Sequence, residues 1–103
     1  MNISRNRLEQ FQCADYLTSV WSVEGLWDEG ACLWLLEPFS QIEELGQIGF
    51  LQVGRPGVDG IGFGYRLGYE GFWAYFPMDD RFEILSPSIA DFAKGWQAGT
   101  ITV

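Results

Sequence analysis

Four apolar runs separated by turn residues dominate the second half of the chain. They cover residues 48–53, 61–67, 72–76 and 81–85 and are rich in Ile, Val, Phe, Tyr and Trp, the residue types that favour strands. The interruptions RPGVDG, GYEG and PMDD carry Gly, Pro and Asp at hairpin spacing. The pattern therefore predicts a meander of four strands.

The first and last of these strands differ in their alternation. In residues 48–53 both alternating sets are largely apolar, so we expect this strand to lie in the centre of the sheet. In residues 81–85, Phe82 and Ile84 alternate with Arg81, Glu83 and Leu85. That alternation is typical of a strand with one side in water.

A helix is predicted after the meander. Ser86, with a proline at the next position, and Ser88, with Asp91 three residues on, are alternative helix starts. Gly99 would end the helix, and residues 100–103 would form a tail or a last edge strand. The buried stripe would consist of four residues at helical spacing: Ile89, Phe92, Ala93 and Trp96.

The first half of the chain carries weaker patterns. An amphipathic helix is predicted from residue 6 towards residue 21, but only as far as Leu17, because TSVWSV at 18–23 is also typical of a strand. Residues 31–38 predict a strand or extended segment, and the turn WDEG precedes it. Five apolar positions form the helical stripe: Leu8, Phe11, Ala14, Leu17 and Trp21.

Pro38 favours the start of a short helix, FSQIEEL, which Gly46 would close. Glu43 and Glu44 would then lie in its last turn, where the helix dipole disfavours negative charge. Either a residue elsewhere in the fold pairs with these carboxylates, or their unfavourable position at the end of the helix has no meaning. The fold class that results is α+β: one domain over residues 1–103, with a mostly antiparallel sheet of four to five strands flanked by an N-terminal and a C-terminal helix.

Charge is distributed unevenly along the chain. The net charge is −8, and residues 8–54 hold eight acidic residues and no basic one. Such a field repels phosphate, which argues against nucleic-acid binding and favours a basic protein partner. Alternatively, the acidic residues only keep an aromatic-rich domain soluble.

The sequence lacks the residues of most catalytic and metal sites. It contains no histidine, which excludes Ser-His and Cys-His arrangements, and its two cysteines, Cys13 and Cys32, form no CxxC pair. The acidic turn Asp79-Asp80 lacks further oxygen ligands at defined spacing, and GIGFG at 60–64 lacks the context of a phosphate loop. We therefore expect no enzyme activity, no cofactor and no metal.

The cysteines and the chain's hydropathy also predict a location. With no signal-peptide pattern in the polar N-terminal stretch and no apolar run near membrane-span length, we expect a reduced, soluble, cytoplasmic protein.

The order of motifs over roughly residues 32–97 follows a pattern. In chain order its features are Leu33 to Pro38 before a short helix, Ile48-Gly49-Phe50 through Val53-Gly54, an Asp59-Gly60 turn, a strand with Phe63 and Tyr65, Gly71 before an aromatic strand with Tyr75, the Asp79-Asp80 turn, and Leu85 before Ser86 to Phe92. Ser88-Ile89 and Asp91-Phe92 match a closing signature. Together they resemble the SUKH superfamily, which includes fungal cell-wall regulators and bacterial immunity proteins of toxin systems.

The resemblance implies a protein-binding role, typically the neutralisation of a toxin domain. A basic toxin domain would meet the acidic half of the chain, with Trp27 as an aromatic anchor. The predicted charged contacts are Asp28, Glu29, Glu43 and Glu44. Two alternatives remain: a homodimer that pairs through an edge strand, and a small-molecule binder on an aromatic-lined sheet.

Overall fold

The computed structural model describes residues 3–30 and 32–103. Within these residues there are four α-helices, one 3-10 helix (Phe39–Gln41) and seven strands. None of the helices in this part of the chain is long and apolar enough to cross a membrane. In chain order the elements are α1 (Arg5–Gln10), α2 (Ala14–Leu17), α3 (Trp21–Glu24), β1 (Leu26–Asp28), β2 (Leu33–Leu36), β3 (Glu43–Leu45), β4 (Phe50–Gly54), β5 (Gly62–Arg66), β6 (Phe72–Phe76), β7 (Arg81–Ser86) and α4 (Ile89–Ala98).

The strands form a single antiparallel sheet. Its order is β1-β2-β4-β5-β6-β7, and β3 pairs with β4. The prediction of a mostly antiparallel α+β fold is confirmed, and so is the central place of β4, which pairs with β2, β3 and β5. The predicted number of four to five strands is wrong, because β1 and β3, each three residues long, also pair into the sheet.

The segment after Pro38 was expected to be a helix and is not. Only Phe39–Gln41 form a 3-10 turn; Ile42 is extended and 5% exposed, with its side chain in the core. Glu43–Leu45 then pair with β4, where Glu43 lies opposite Gln52. Burying Ile42 and completing the ladder along β4 outweigh the helix propensity of this short segment.

The N-terminal helix, predicted as far as Leu17, is broken into α1 and α2, and α3 follows as a third short helix. Gln12 has a φ of 55°, a left-handed conformation that ends α1 and turns the chain before α2. Phe11, Cys13 and Tyr16 become buried, whereas Leu17, which the helical stripe placed inside, is 37% exposed. The strand alternative for residues 18–23 is also wrong, because α3 forms there. Ala31, where the predicted strand 31–38 begins, lies outside the described residues.

The C-terminal helix α4 matches its prediction. Ser88 is the N-cap, with its hydroxyl accepting from the Asp91 amide at 3.2 Å, and Gly99 ends the helix at φ 76°. Residues 100–103 form no strand.

The two faces of the sheet differ. The covered face packs under α1, α2 and α4, where the buried core includes Leu51, Phe63, Phe72 and Phe92. The residues that alternate with these point to the opposite, open face: Phe50, Arg66, Trp73, Tyr75 and Phe82. Phe50 is fully buried there, with ring centroids 6.0 Å from Tyr75 and 5.6 Å from Phe82.

Candidate partner-binding site

The edge strand β1 presents an exposed tryptophan. Leu26 is half-buried against the core and Asp28 bonds to α4, so Trp27 between them points to the open face. Its cross-strand partner Trp34 lies between two core leucines and points the same way. The two indoles meet edge to face at 5.3 Å, and each is 46% exposed. This pair is the largest exposed aromatic feature at the β1 edge.

Asp28 was predicted as a free charged contact, but its carboxylate is occupied. One oxygen accepts from the Gly30 amide at 3.0 Å and the other from Trp96 Nε1 at 3.1 Å. The second bond ties β1 to α4. Asp28 therefore positions the edge strand, whereas Glu29, in the exposed turn after it, makes no side-chain bond within the described residues.

Trp27 borders two shallow depressions. One, of 370 Å³, lies between β1 and α4 and is also lined by Asp28, Glu29 and Trp96. The other, of 310 Å³, is lined by Trp34, Glu37 and Arg55. The sequence did not indicate this second group, because LWLL at 33–36 is a continuous apolar run in which nothing marks Trp34 as the outward-facing residue.

Glu43 and Glu44 do not form one site with Trp27 and Glu29. They lie on β3, and as neighbours in a strand they point to opposite faces. Glu44 binds Arg7 Nε at 2.6 Å, which supplies the tertiary partner that was one of the two expectations. Because the segment is a strand, the predicted conflict with a helix dipole does not arise. Glu43 is exposed and faces the open side, opposite Gln52.

The acidic residues of positions 8–54 fall into two groups. Asp15, Asp28, Glu37 and Glu44 accept hydrogen bonds from other parts of the fold. Four others are exposed and have no ion pair or side-chain hydrogen bond among the described residues: Glu9, Glu24, Glu29 and Glu43. Half of these eight carboxylates thus have no hydrogen-bond partner within the described residues, and two of them, Glu24 and Glu29, flank β1.

A hydrogen-bonded cluster centred on Asp15, which is itself half-buried, lies on the covered face. Asp15 accepts from the Tyr65 hydroxyl at 2.8 Å, from the Tyr16 amide at 2.9 Å and from the Ile89 amide at 2.8 Å. Burial, and then the neighbouring Asp15 charge, raises the pKa of Tyr65 well above its ordinary value. Burial also raises the pKa of the Cys13 thiol to about 11. The Asp15 carboxylate thus accepts three hydrogen bonds, and the Tyr65 and Cys13 side chains stay neutral. The arrangement holds α2, β5 and α4 together.

The acidic turn before β7 is also internally satisfied. Asp79 and Glu83 both bind Arg81, at 3.3 and 2.9 Å, and Asp80 accepts from the Tyr75 hydroxyl at 2.8 Å. Across residues 3–30 and 32–103, no group of three metal-ligating side chains is close enough to hold a metal ion.

Comparison of the chain with protein-family models, with curated proteins and with solved structures finds no match in any of the three.

Proposed function

We propose that this chain is a non-catalytic protein-binding domain that docks a basic protein at its β1 edge. The observation that carries the proposal is the half-exposed pair of Trp27 and Trp34, beside the carboxylate of Glu29, which no side chain of residues 3–30 or 32–103 pairs with. Large aromatic side chains at a rigid surface are the residues that most often anchor protein interfaces.

The edge strand offers a second means of attachment. β1 pairs with β2 on one side, and no strand of the described part of the chain pairs with its other backbone edge, which can accept an extended segment of a partner. A lysine or arginine of that segment would stack on the indole of Trp27 and reach Glu29. The exposed carboxylates of Glu24 and Glu29 would speed the encounter at low salt.

The resemblance to the SUKH superfamily supports a finer proposal. In this proposal the partner is a basic toxin domain, which the chain neutralises by forming a stoichiometric complex in the cytoplasm. A role without catalysis fits the internal engagement of Asp15, which accepts three hydrogen bonds, and of the acidic turn before β7.

The test is a pull-down from the native cell at low and high salt, followed by binding measurements with the captured protein. The expected partner is basic, stoichiometric and released by salt. Glu29→Lys should weaken its binding by about tenfold at low salt, and Trp27→Ala by more, since interface anchors cost about 2 kcal/mol or more when truncated.

Two matched variants control for charge and for exposed apolar area. Glu70→Lys makes the same charge change in the β5–β6 connection, and Met78→Ala removes an 84% exposed side chain from the β6–β7 turn. Both should bind normally. If either weakens binding as much as its β1 counterpart, the docking surface is not at β1 and the proposal fails.

Self-association is the competing function, and the long edge strand β7 favours it. If the β7 strands of two copies paired antiparallel with Phe82 at the centre, each Arg81 would lie opposite a Glu83 of the other copy. Opposite charges at these positions would stabilise the pairing. The net charge of −8 on each copy opposes such a dimer. A mass that doubles with concentration, and returns to the monomer in Phe82→Lys, would favour this alternative.

A further inference from the structure

Arg66 lies on the open face of the sheet among three aromatic rings. Its guanidinium carbon is 3.9 Å from the ring centroid of Tyr69, 4.1 Å from that of Phe82 and 4.7 Å from that of Trp73. Trp73 is itself fixed, because its Nε1 donates to the Glu70 carbonyl at 2.8 Å. The rings therefore hold the cation in one place.

Three other arginines of the fold are paired with carboxylates. Arg7, Arg55 and Arg81 each bind a carboxylate, at 2.6, 3.0 and 2.9 Å respectively. Arg81 is the closest comparison, because it also stacks on a ring, that of Phe76 at 4.0 Å. Stacking and pairing with an acid thus occur together at Arg81.

Arg66 stacks on aromatic rings, but no carboxylate among the described residues pairs with it. Within the described residues it makes no ion pair and no side-chain hydrogen bond, in a chain with fourteen acidic residues. In the same part of the chain, no buried side-chain nitrogen or oxygen lacks a hydrogen-bond partner. The N–H groups of Arg66 therefore reach solvent rather than lying hidden and unsatisfied.

A guanidinium held in this way suits a planar anion. It presents N–H donors in a fork that matches both oxygens of a carboxylate. Because the rings have already ordered the side chain, less entropy is lost on binding. Tyr69, which contacts Arg66, is 49% exposed, and Ile84, the cross-strand neighbour of Trp73, is 54% exposed. Both add apolar surface near the charged centre.

We propose that Arg66 binds a carboxylate of a partner protein, from an acidic residue whose apolar neighbour packs on Ile84 and Tyr69. The net charge of −8 repels a phosphate more strongly than a single carboxylate, because the phosphate carries more negative charge. This surface is distinct from the β1 edge, since β5 to β7 lie beyond β4 in the sheet, and it does not rest on the function proposed there.

The test is an NMR titration of the arginine Nε–Hε signals with the blocked dipeptide acetyl-Leu-Glu-amide. The Arg66 signal should shift and saturate in the millimolar range, which is the affinity expected of one ion pair with a small apolar contact. Acetyl-Leu-Gln-amide, which has the same shape and no charge, should bind at least about tenfold more weakly. Inorganic phosphate should also bind at least about tenfold more weakly, because the negative field of the protein opposes its additional charge.

Two variants locate the effect. Arg66→Lys keeps the charge but loses the planar fork, and should weaken binding of the dipeptide about tenfold. Arg81→Lys should leave it unchanged. Equal shifts at all arginines, equal affinity for the glutamine dipeptide, or phosphate binding as tightly as the glutamate dipeptide would each overturn the proposal. The wild-type titration decides this even if Arg66→Lys folds poorly.

Discussion

The covered and open faces of the sheet hold their aromatic residues in different ways. On the covered face, Phe63 is fully buried, and its ring centroid is 4.8 Å from that of Phe92 in α4. The hydrogen bonds of Asp15 lie on the same face. On the open face, rings contact one another and Arg66, and several remain half-exposed. We infer that the covered face supplies most of the stability and that the open face is available for recognition.

Truncating one phenylalanine on each face tests this difference most strongly. Phe63→Ala should lower the free energy of unfolding by about 3 to 5 kcal/mol, because it leaves a cavity among packed rings. Phe82→Ala, at a partly exposed site, should cost about 1 to 2 kcal/mol. Urea denaturation of both variants measures the gap, and equal losses would contradict the comparison.

The Asp15 hydrogen bonds give the next largest effect. Asp15→Asn should cost about 2 kcal/mol, because it turns an amide donor towards the Ile89 N–H or removes an acceptor from Tyr65. Hydrogen exchange at the Ile89 amide should speed up with the loss of stability. Asp91→Asn, which alters an exposed carboxylate at the start of the same helix, should cost less than about 0.5 kcal/mol. If Asp91→Asn lowered the free energy of unfolding as much as Asp15→Asn, the hydrogen bonds of Asp15 would contribute no more to stability than an exposed carboxylate does.

The covered face should also make the protein sensitive to alkali. Burial raises the pKa of Cys13 from 9.0 to about 11, and also raises the pKa values of Tyr16 and Tyr65 above 10.0. The folded state therefore keeps protons that the unfolded chain releases. The contribution of these three groups to stability should be constant well below pH 9 and should fall above it, with Cys13 alone accounting for about 2 kcal/mol at pH 11.

Urea midpoints at pH 7.5, 9 and 10.5 measure this dependence. Cys13→Ala removes one of the three groups and should make the fall shallower, apart from its constant packing cost. A stability that does not change between pH 7.5 and pH 10.5 would show that these groups ionise as easily in the folded state as in the unfolded chain.

The meander and α4 could be predicted because their patterns are local. Four runs of alternating or continuous apolar residues lie between turn signals, and Ser88 and Gly99 mark the ends of α4. The strands β1 and β3 could not be predicted, because three residues carry no usable period and depend on the open edges of β2 and β4. The break at Gln12 likewise depends on burying Phe11 and Tyr16 together rather than on a local signal.

The candidate site was predicted in part. Trp27 and Glu29 are exposed at the β1 edge, whereas Asp28 and Glu44 are bound by Trp96 and Arg7, which are 68 and 37 positions away in sequence. Pairings over such distances leave no trace in a single sequence. The same holds for Arg66, since nothing in GYRLGYEG indicates that three rings would surround it.

The smallest effect should come from the tryptophan pair at β1. The coupling energy between Trp27→Ala and Trp34→Ala should be about 1 kcal/mol, the usual value for an edge-to-face aromatic contact. Urea denaturation of both single variants and the double variant gives this energy. A coupling near zero would mean that the indoles do not support each other, and a single loss above about 3 kcal/mol would make them core residues. An intermediate value fits rings that are held in place yet free to bind, as a docking surface requires.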